Sequence, residues 1–155
     1  MKKRFMGTQK ALNKILACVV TCCYVGYIPG APGTYASIFG CILIYIFPSI
    51  FANIFFCAGF VFFSVLCVNL FKYNGEDPGY IVIDELAGIC VAMAGHSITP
   101  LNIIIGFVLF RFFDIVKPFP IKYAERLKCG YGIVADDVLA GIFANIILVI
   151  LGQFL

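Results

Sequence analysis

The chain has 155 residues, of which 63% are hydrophobic and only 12% are charged. This length allows a single domain (1–155), and a mean hydropathy of +1.05 excludes the usual composition of a soluble protein. The net charge of +3 is small and gives no indication of nucleic-acid binding. The composition predicts a membrane protein built from helices.

Residues 8–25 are predicted to form a helix lying at the membrane surface. Lys10 and Lys14 interrupt the apolar sequence there too early for the core of a signal peptide. Five apolar segments follow. We compare the length of each with the roughly 20 residues that a spanning helix needs. Pro48 shortens the first segment, which could instead be re-entrant. The predicted fold is an all-α, polytopic membrane bundle of about five membrane-embedded helices and an N-terminal interfacial helix. The five segments are residues 35–51, 54–71, 81–95, 101–116 and 138–155.

Charged residues occur only in alternate connections between these segments. They precede the first segment and lie between the second and third and between the fourth and fifth. The other two connections contain no Lys, Arg, Asp or Glu. With five spans, all charged loops fall on one side, and the positive-inside rule makes that side cytoplasmic. A multi-pass topology with its charged face in the cytoplasm is therefore expected.

Five of the eight acidic residues lie in or against apolar stretches, where carboxylates are costly. Such a group suggests either a divalent cation or a proton path. Adjacent helical residues point about 100° apart, so we expect one acid of the pair 84–85 to face the site while the other packs or binds through water. The alternative to a functional site is that Arg or Lys neutralises these acids and that the ion pairs serve only in helix packing. The five are Asp84, Glu85, Asp114, Asp136 and Asp137.

A second pattern places two cations beside one of these acids. Arg111, Asp114 and Lys117 are spaced by three, which puts them on one face at the end of a helix that Pro118 stops. Arg can hold a phosphate through two hydrogen bonds, and Lys can act as a point charge. A simple salt-bridged helix end would also explain the pairing, but it leaves one cation for another anion.

Two glycine-rich segments precede predicted helices. In residues 26–37, Thr34 is predicted to cap the following helix, and the turn either seats an anion or merely forms a rigid entry. In residues 130–137, Asp136 and Asp137 are predicted to open the last helix, one of them as an ordinary N-cap. Two successive acids near other carboxylates favour a metal such as Mg²⁺, which prefers oxygen ligands.

Several phosphatase mechanisms are excluded by missing residues. The chain has no Cys followed six residues later by Arg, no Asp-x-Asp and no Gly-x-Ser-x-Gly. A mechanism based on several histidines is impossible, because His96 is the only one. Metal-assisted attack by water remains the most economical hydrolytic mechanism.

Four motifs in order resemble the phosphatidylglycerophosphatase A family. They are the sequences APGT, IVIDE, FRFFDIVKPFPI and GYGIVADDVLAG, which begin at Ala31, Ile81, Phe110 and Gly130. The resemblance implies a Mg²⁺-dependent enzyme of the bacterial inner membrane. Such an enzyme removes the terminal phosphate of phosphatidylglycerophosphate and leaves phosphatidylglycerol among the membrane lipids.

The resemblance also implies roles for individual residues. Arg111 and Lys117 would bind the substrate phosphate, and Thr34 would help to seat the headgroup. Asp77 is a weaker candidate. A cation- or proton-coupled transporter that uses the same carboxylates is the alternative, and a packing subunit with buried ion pairs is a third interpretation. The sequence leaves the oligomeric state open. The residues that would bind Mg²⁺ or position the attacking water are Asp84, Glu85, Asp114, Asp136 and Asp137.

Overall fold

The computed structural model describes residues 2–71, 78–127 and 130–153, with side chains from residue 11 onward. Within these ranges every regular element is helical, which confirms the predicted all-α fold. A single 3₁₀ turn, Val25–Tyr27, joins the first two helices. The α-helices are α1 (Lys2–Val20), α2 (Pro32–Ile46), α3 (Pro48–Phe51), α4 (Ile54–Leu70), α5 (Ile83–Met93), α6 (Pro100–Val116), α7 (Ile121–Ala124) and α8 (Gly130–Leu151).

Helix length decides how many of the five predicted spans are supported. Among the described residues, only α8 is long and apolar enough to cross a membrane, with 22 residues and a mean hydropathy of 2.2. Helices α2 and α4 are apolar but have 15 and 17 residues. Helix α5 has 11 residues and is only about 16 Å long, roughly half of the bilayer's hydrocarbon thickness. The prediction of about five spans is therefore not confirmed.

The first helix is shifted toward the N-terminus relative to the predicted residues 8–25. It ends at Val20, because Cys22, Cys23 and Tyr24 all have positive φ angles and reverse the chain. The Val82 N–H donates a hydrogen bond of 2.9 Å to the Val20 carbonyl, which fastens this end of α1 to the segment that enters α5. Its position at a membrane surface stays a prediction.

Helix α5 lies at the centre of the bundle, and 9 of its 11 residues are buried. It contacts α2, α4, α6 and α8. The outer surfaces of these helices expose many large apolar side chains, including Phe55 at 84%, Ile104 at 61% and Ile146 at 50%. Apolar surface of this extent would be unfavourable in water, so the outer face of the bundle is suited to lipid.

Helices α5 and α8 cross closely, and two glycines make this crossing. A Cβ added at Gly141 would overlap the carbonyl oxygen of Gly88, and a Cβ added at Gly88 would lie 2.8 Å from the carbonyl oxygen of Asp137. Farther along, Asn145 Nδ2 donates to the carbonyl of Ala92, 53 residues earlier, at 3.1 Å. Gly88 and Gly141 are also 53 residues apart in the sequence. Because both contacts join residues with this same separation, α5 and α8 run parallel in a fixed register.

Candidate active site

Three carboxylates converge where α5 and α8 begin to pack. Asp84 and Glu85 lie in the first turn of α5, and Asp137 lies in α8. One oxygen from each of the three lies within 4.8 Å of the others. Asp84 and Asp137 are each four residues before a crossing glycine, so the register of the two helices brings these acids together. We call Asp84, Glu85 and Asp137 the carboxylate group.

The carboxylate group could hold a metal ion. Its oxygen ligands are of the kind that hard divalent cations prefer. Glu85 Oε2 is a buried polar atom that makes no hydrogen bond in the structure, although buried polar atoms in proteins are nearly always paired. Three carboxylates this close, two of them on buried residues, repel one another unless a cation or protons compensate their charge. The residues present therefore fit a cation, and its identity is a separate question.

The geometry of the two acidic pairs differs from the expectation. Both Asp84 and Glu85 contribute to the carboxylate group, since one oxygen of each lies within 4.8 Å of the other and of Asp137. The prediction that Asp136 and Asp137 open the last helix is wrong, since α8 begins at Gly130. The Gly130 N–H donates to Asn69 Oδ1 at 3.1 Å, and this contact holds the earlier start of α8 against α4.

Asp136 faces a different partner from its neighbour Asp137. Its Oδ2 accepts a hydrogen bond of 2.7 Å from Lys117 Nζ, and the same Nζ lies 3.4 Å from Glu125 Oε1. Lys117 caps the C-terminus of α6 with a φ of 44°, a left-handed conformation that ends the helix before Pro118. Burial by itself lowers the pKa of Lys117, but its hydrogen bond to Asp136 and the charges of Asp136 and Glu125 outweigh this and raise the pKa above its ordinary value. Lys117 therefore remains a cation at neutral pH.

Arg111 and Asp114 connect α6 to the carboxylate group. Arg111 Nη1 lies 2.7 Å from Asp114 Oδ2, but without the alignment that a hydrogen bond requires. Arg111 Nε and Nη1 are both buried without a hydrogen-bond partner. The Asp114 carboxylate lies close enough to Glu85 and Asp137 for their negative charges to oppose one another. The predicted face of Arg111 and Asp114 is present, and the guanidinium keeps donors available for an anion.

The glycine turn approaches the same place from α2, although Thr34 is not a cap as predicted. Helix α2 begins at Pro32, a residue favoured in a first turn, so Thr34 is the third helical residue and is half-buried. A Cβ added at Gly33 would overlap Glu85 Oε1 and lie 3.4 Å from Arg111 Nη1. The first turn of α2 therefore packs directly against the carboxylate group and Arg111, with Thr34 next to this contact.

Gly141, one of the residues that set this geometry, was not predicted from the sequence, although a signal for it exists. The sequence Asp-x-Leu-Ala-Gly-Ile occurs twice, at Asp84–Ile89 and at Asp137–Ile142. Each copy supplies one acid of the carboxylate group and one crossing glycine, so the repeat predicts two equivalent helices that meet at the same register. Gly33 has no comparable signal, because its neighbours become close only in the folded chain. Asp77 lies outside the described residues.

The helical bundle contains a carboxylate group that could hold a metal ion. One cation with donors that make no hydrogen bond to the described residues and a second cation lie beside it. These are the parts of a membrane phosphatase. The family model for Phosphatidylglycerophosphatase A matches residues 18–152, which is most of the chain. The chain belongs to the Phosphatidylglycerophosphatase A family.

Individual relatives agree with this assignment. A Phosphatidylglycerophosphatase A of Haemophilus influenzae is 42% identical over 133 residues, covering 79% of each chain. The Escherichia coli protein of that name is 36% identical over 94 residues, covering 57% of this chain and 53% of its own. A protein of Bacteroides thetaiotaomicron with the name "Putative phosphatidylinositol-3-phosphatase" is 34% identical over 136 residues, covering 81% of this chain and 86% of its own. No solved structure matches the chain significantly.

Proposed function

We propose that this protein is a Mg²⁺-dependent membrane phosphatase that hydrolyses the terminal phosphate of phosphatidylglycerophosphate to phosphatidylglycerol and inorganic phosphate. The observation that carries the proposal is the position of Arg111, whose guanidinium is ion-paired with Asp114 and lies beside the carboxylate group with a buried Nε that makes no hydrogen bond to the described residues. A cation site next to a guanidinium that can still donate suits a phosphate monoester, because both can bind its oxygens. The identity of the lipid substrate is inferred from membership of the Phosphatidylglycerophosphatase A family.

In this proposal Arg111 and Lys117 bind the phosphate and offset the charge that develops as the P–O bond breaks. Arg111 donates from Nε, which makes no hydrogen bond to the described residues, while Nη1 stays 2.7 Å from Asp114 Oδ2. Lys117 is held in place by Asp136 and provides positive charge at the end of α6. Thr34, in the first turn of α2, contacts the headgroup near Glu85.

The acids have the complementary task of holding the cation and the attacking water. Asp84, Glu85 and Asp137 would hold Mg²⁺, with Asp114 and Asp136 as further ligands or as groups that orient water. A bound Mg²⁺ would polarise the phosphoryl oxygens and lower the pKa of a coordinated water. Asp114, whose negative charge acts on Asp137, would orient that water toward the phosphorus.

The proposed location is the bacterial inner membrane, with several membrane-embedded helices and the site on the cytoplasmic side. The exposed apolar surface of the bundle and the distribution of charged loops support this arrangement. The transporter alternative would require acids through the depth of the bundle. Among the described residues, the acids lie at the beginning of α5, at the end of α6 and near the beginning of α8, which favours a site at one face.

A phosphate-release assay with the purified protein in detergent micelles tests the proposal. We expect release from phosphatidylglycerophosphate in Mg²⁺, loss of release in EDTA, and recovery when Mg²⁺ is returned. Phosphatidylinositol 3-phosphate is the informative comparison substrate, because the relative from Bacteroides thetaiotaomicron is named as a putative phosphatidylinositol-3-phosphatase. Equal rates with and without EDTA would refute the metal dependence, and a clear preference for phosphatidylinositol 3-phosphate would refute the substrate.

A further inference from the structure

An apolar groove of about 510 Å³ runs between α2 and α6. Four residues of α2, from Ile38 to Tyr45, line one wall, and four residues of α6, from Pro100 to Phe107, line the other. In each helix the lining residues have spacings of three, four and seven, so each wall is a single stripe along the helix. The groove is therefore a straight channel parallel to the helices and open on its outer side.

One end of this groove lies at the proposed active site. The first turn of α2 packs against Arg111 near the end of α6, so the two helices run antiparallel. Ile38 is one helical turn beyond Thr34, and Phe107 is one turn before Arg111. From that end the groove extends along α2 for about 10 Å toward Tyr45.

We propose that this groove binds an acyl chain of the lipid whose phosphate is held by Arg111. The proposal rests on the proposed function, which places a phospholipid headgroup at that end of the helices. The groove begins about one helical turn from Thr34 and Arg111, is almost wholly apolar, and leads away from the charged end of the bundle. These are the properties that a chain attached to the bound headgroup requires.

The groove contributes orientation more than binding energy. A lipid chain is already in an apolar environment in the bilayer, so moving it into an apolar groove gains little hydrophobic free energy. Fixing one chain between α2 and α6 instead restricts the headgroup to one depth and one rotation. Such positioning raises the rate of the chemical step, because the phosphate is presented to Arg111 and the carboxylate group in a reactive geometry.

Filling the groove tests this idea. Ile42, on the α2 wall, is 51% exposed, whereas Ile150, on α8 and outside the groove, is 50% exposed. We expect Ile42→Trp to lower kcat/KM for dioleoyl phosphatidylglycerophosphate roughly tenfold and for the dihexanoyl lipid less than twofold. Ile150→Trp, the matched control, is expected to leave both values unchanged. Equal kcat/KM values for Ile42→Trp and the unmodified protein on the dioleoyl lipid would overturn the proposal.

Photo-crosslinking of the unmodified protein tests the groove without relying on a folded variant or on turnover. The probe is phosphatidylglycerophosphate with a diazirine at the end of one acyl chain, and phosphatidylcholine with the same chain is the comparator. We expect crosslinks in residues 38–45 and 100–107 that the comparator does not give. Equal labelling by both lipids would show bulk bilayer lipid in the groove, and no labelling of residues 38–45 and 100–107 by either lipid would show that no acyl chain enters it. Either result overturns the proposal.

Failure of the groove and failure of the proposed function give different results. If the groove is not used, Ile42→Trp hydrolyses the dioleoyl lipid at the rate of the unmodified protein, and it does the same with the dihexanoyl lipid. If the function is wrong, the unmodified protein releases phosphate from neither the dioleoyl nor the dihexanoyl lipid.

Discussion

Gly88 and Gly141 meet so closely that the space for a Cβ at Gly141 is taken by the backbone of Gly88. A Cβ there would overlap the Gly88 carbonyl oxygen and lie 3.2 Å from the carbonyl carbon. One turn before these glycines lie Asp84 and Asp137, two members of the carboxylate group. The separation of α5 and α8, and with it the distance between the two acids, is set by the absence of two side chains.

We expect Gly141→Ala to destabilise the protein by roughly 1–3 kcal/mol and to reduce activity, because the added methyl group forces α5 and α8 apart. Gly59→Ala is the matched control, since Gly59 is also helical and a Cβ there meets nothing within 4 Å. That control is expected to be neutral or stabilising by up to about 1 kcal/mol. The unfolding midpoint in detergent measures both, and equal midpoints would contradict the packing argument.

Asp84→Asn and Asp137→Asn are each expected to reduce kcat by roughly a hundredfold or more, because each removes a charged oxygen ligand from the carboxylate group. Titration calorimetry with Mg²⁺ is expected to show a matching loss of affinity. Glu125→Gln is the control acid, since its side chain is 53% exposed and its ion pair with Lys117 is 3.4 Å long. An effect below about fivefold is expected for the control. Full activity in both Asp variants would show that the site is wrong.

Arg111→Lys separates phosphate recognition from simple charge. Lysine keeps the positive charge but lacks the planar donor pair that arginine offers to a phosphate. We expect kcat/KM to fall roughly 10- to 100-fold, with inorganic phosphate also binding more weakly as a product inhibitor. Arg126→Lys is the control, because Arg126 lies over the Tyr123 ring, 5.0 Å from its centroid. If both substitutions had the same small effect, Arg111 would have only a packing role.

The hydrogen bond between Lys117 and Asp136 predicts coupled effects of substitution. Replacing Lys117 by Met leaves Asp136, which is 6% exposed, without its cation, so a loss of about 1–3 kcal/mol of stability is expected. The double variant with Asp136→Asn is expected to recover part of this loss. Unfolding midpoints of the four proteins in a double-mutant cycle measure the coupling. Strictly additive losses would mean that the 2.7 Å contact contributes no net stability.

The sequence selected acids that the structure places close together, but it predicted poorly where helices begin and end. Asp84, Asp114 and Asp137 were selected because ionised groups in apolar stretches are costly. Helix boundaries depend on tertiary contacts that the local sequence does not contain. Gly130 illustrates this, because its hydrogen bond to Asn69, 61 residues earlier, holds the start of α8 seven residues before Asp137.

The spacing of three between Arg111 and Asp114 also transferred directly to the structure, since it depends only on the geometry of one helix. Lys117 lies one residue beyond the end of α6 in a left-handed conformation, and its Nζ reaches α8, where it donates to Asp136.

By itself, the sequence determined that the chain is helical and apolar and that it contains five costly carboxylates with two cations near them. These properties follow from composition and from spacing within single helices. Only the tertiary structure decided which acids share one site. That choice depends on the parallel register of α5 and α8, on the approach of Gly33 to Glu85, and on the direction in which Asp136 turns. Each is a contact between distant parts of the chain, formed only when close packing leaves room for a single arrangement.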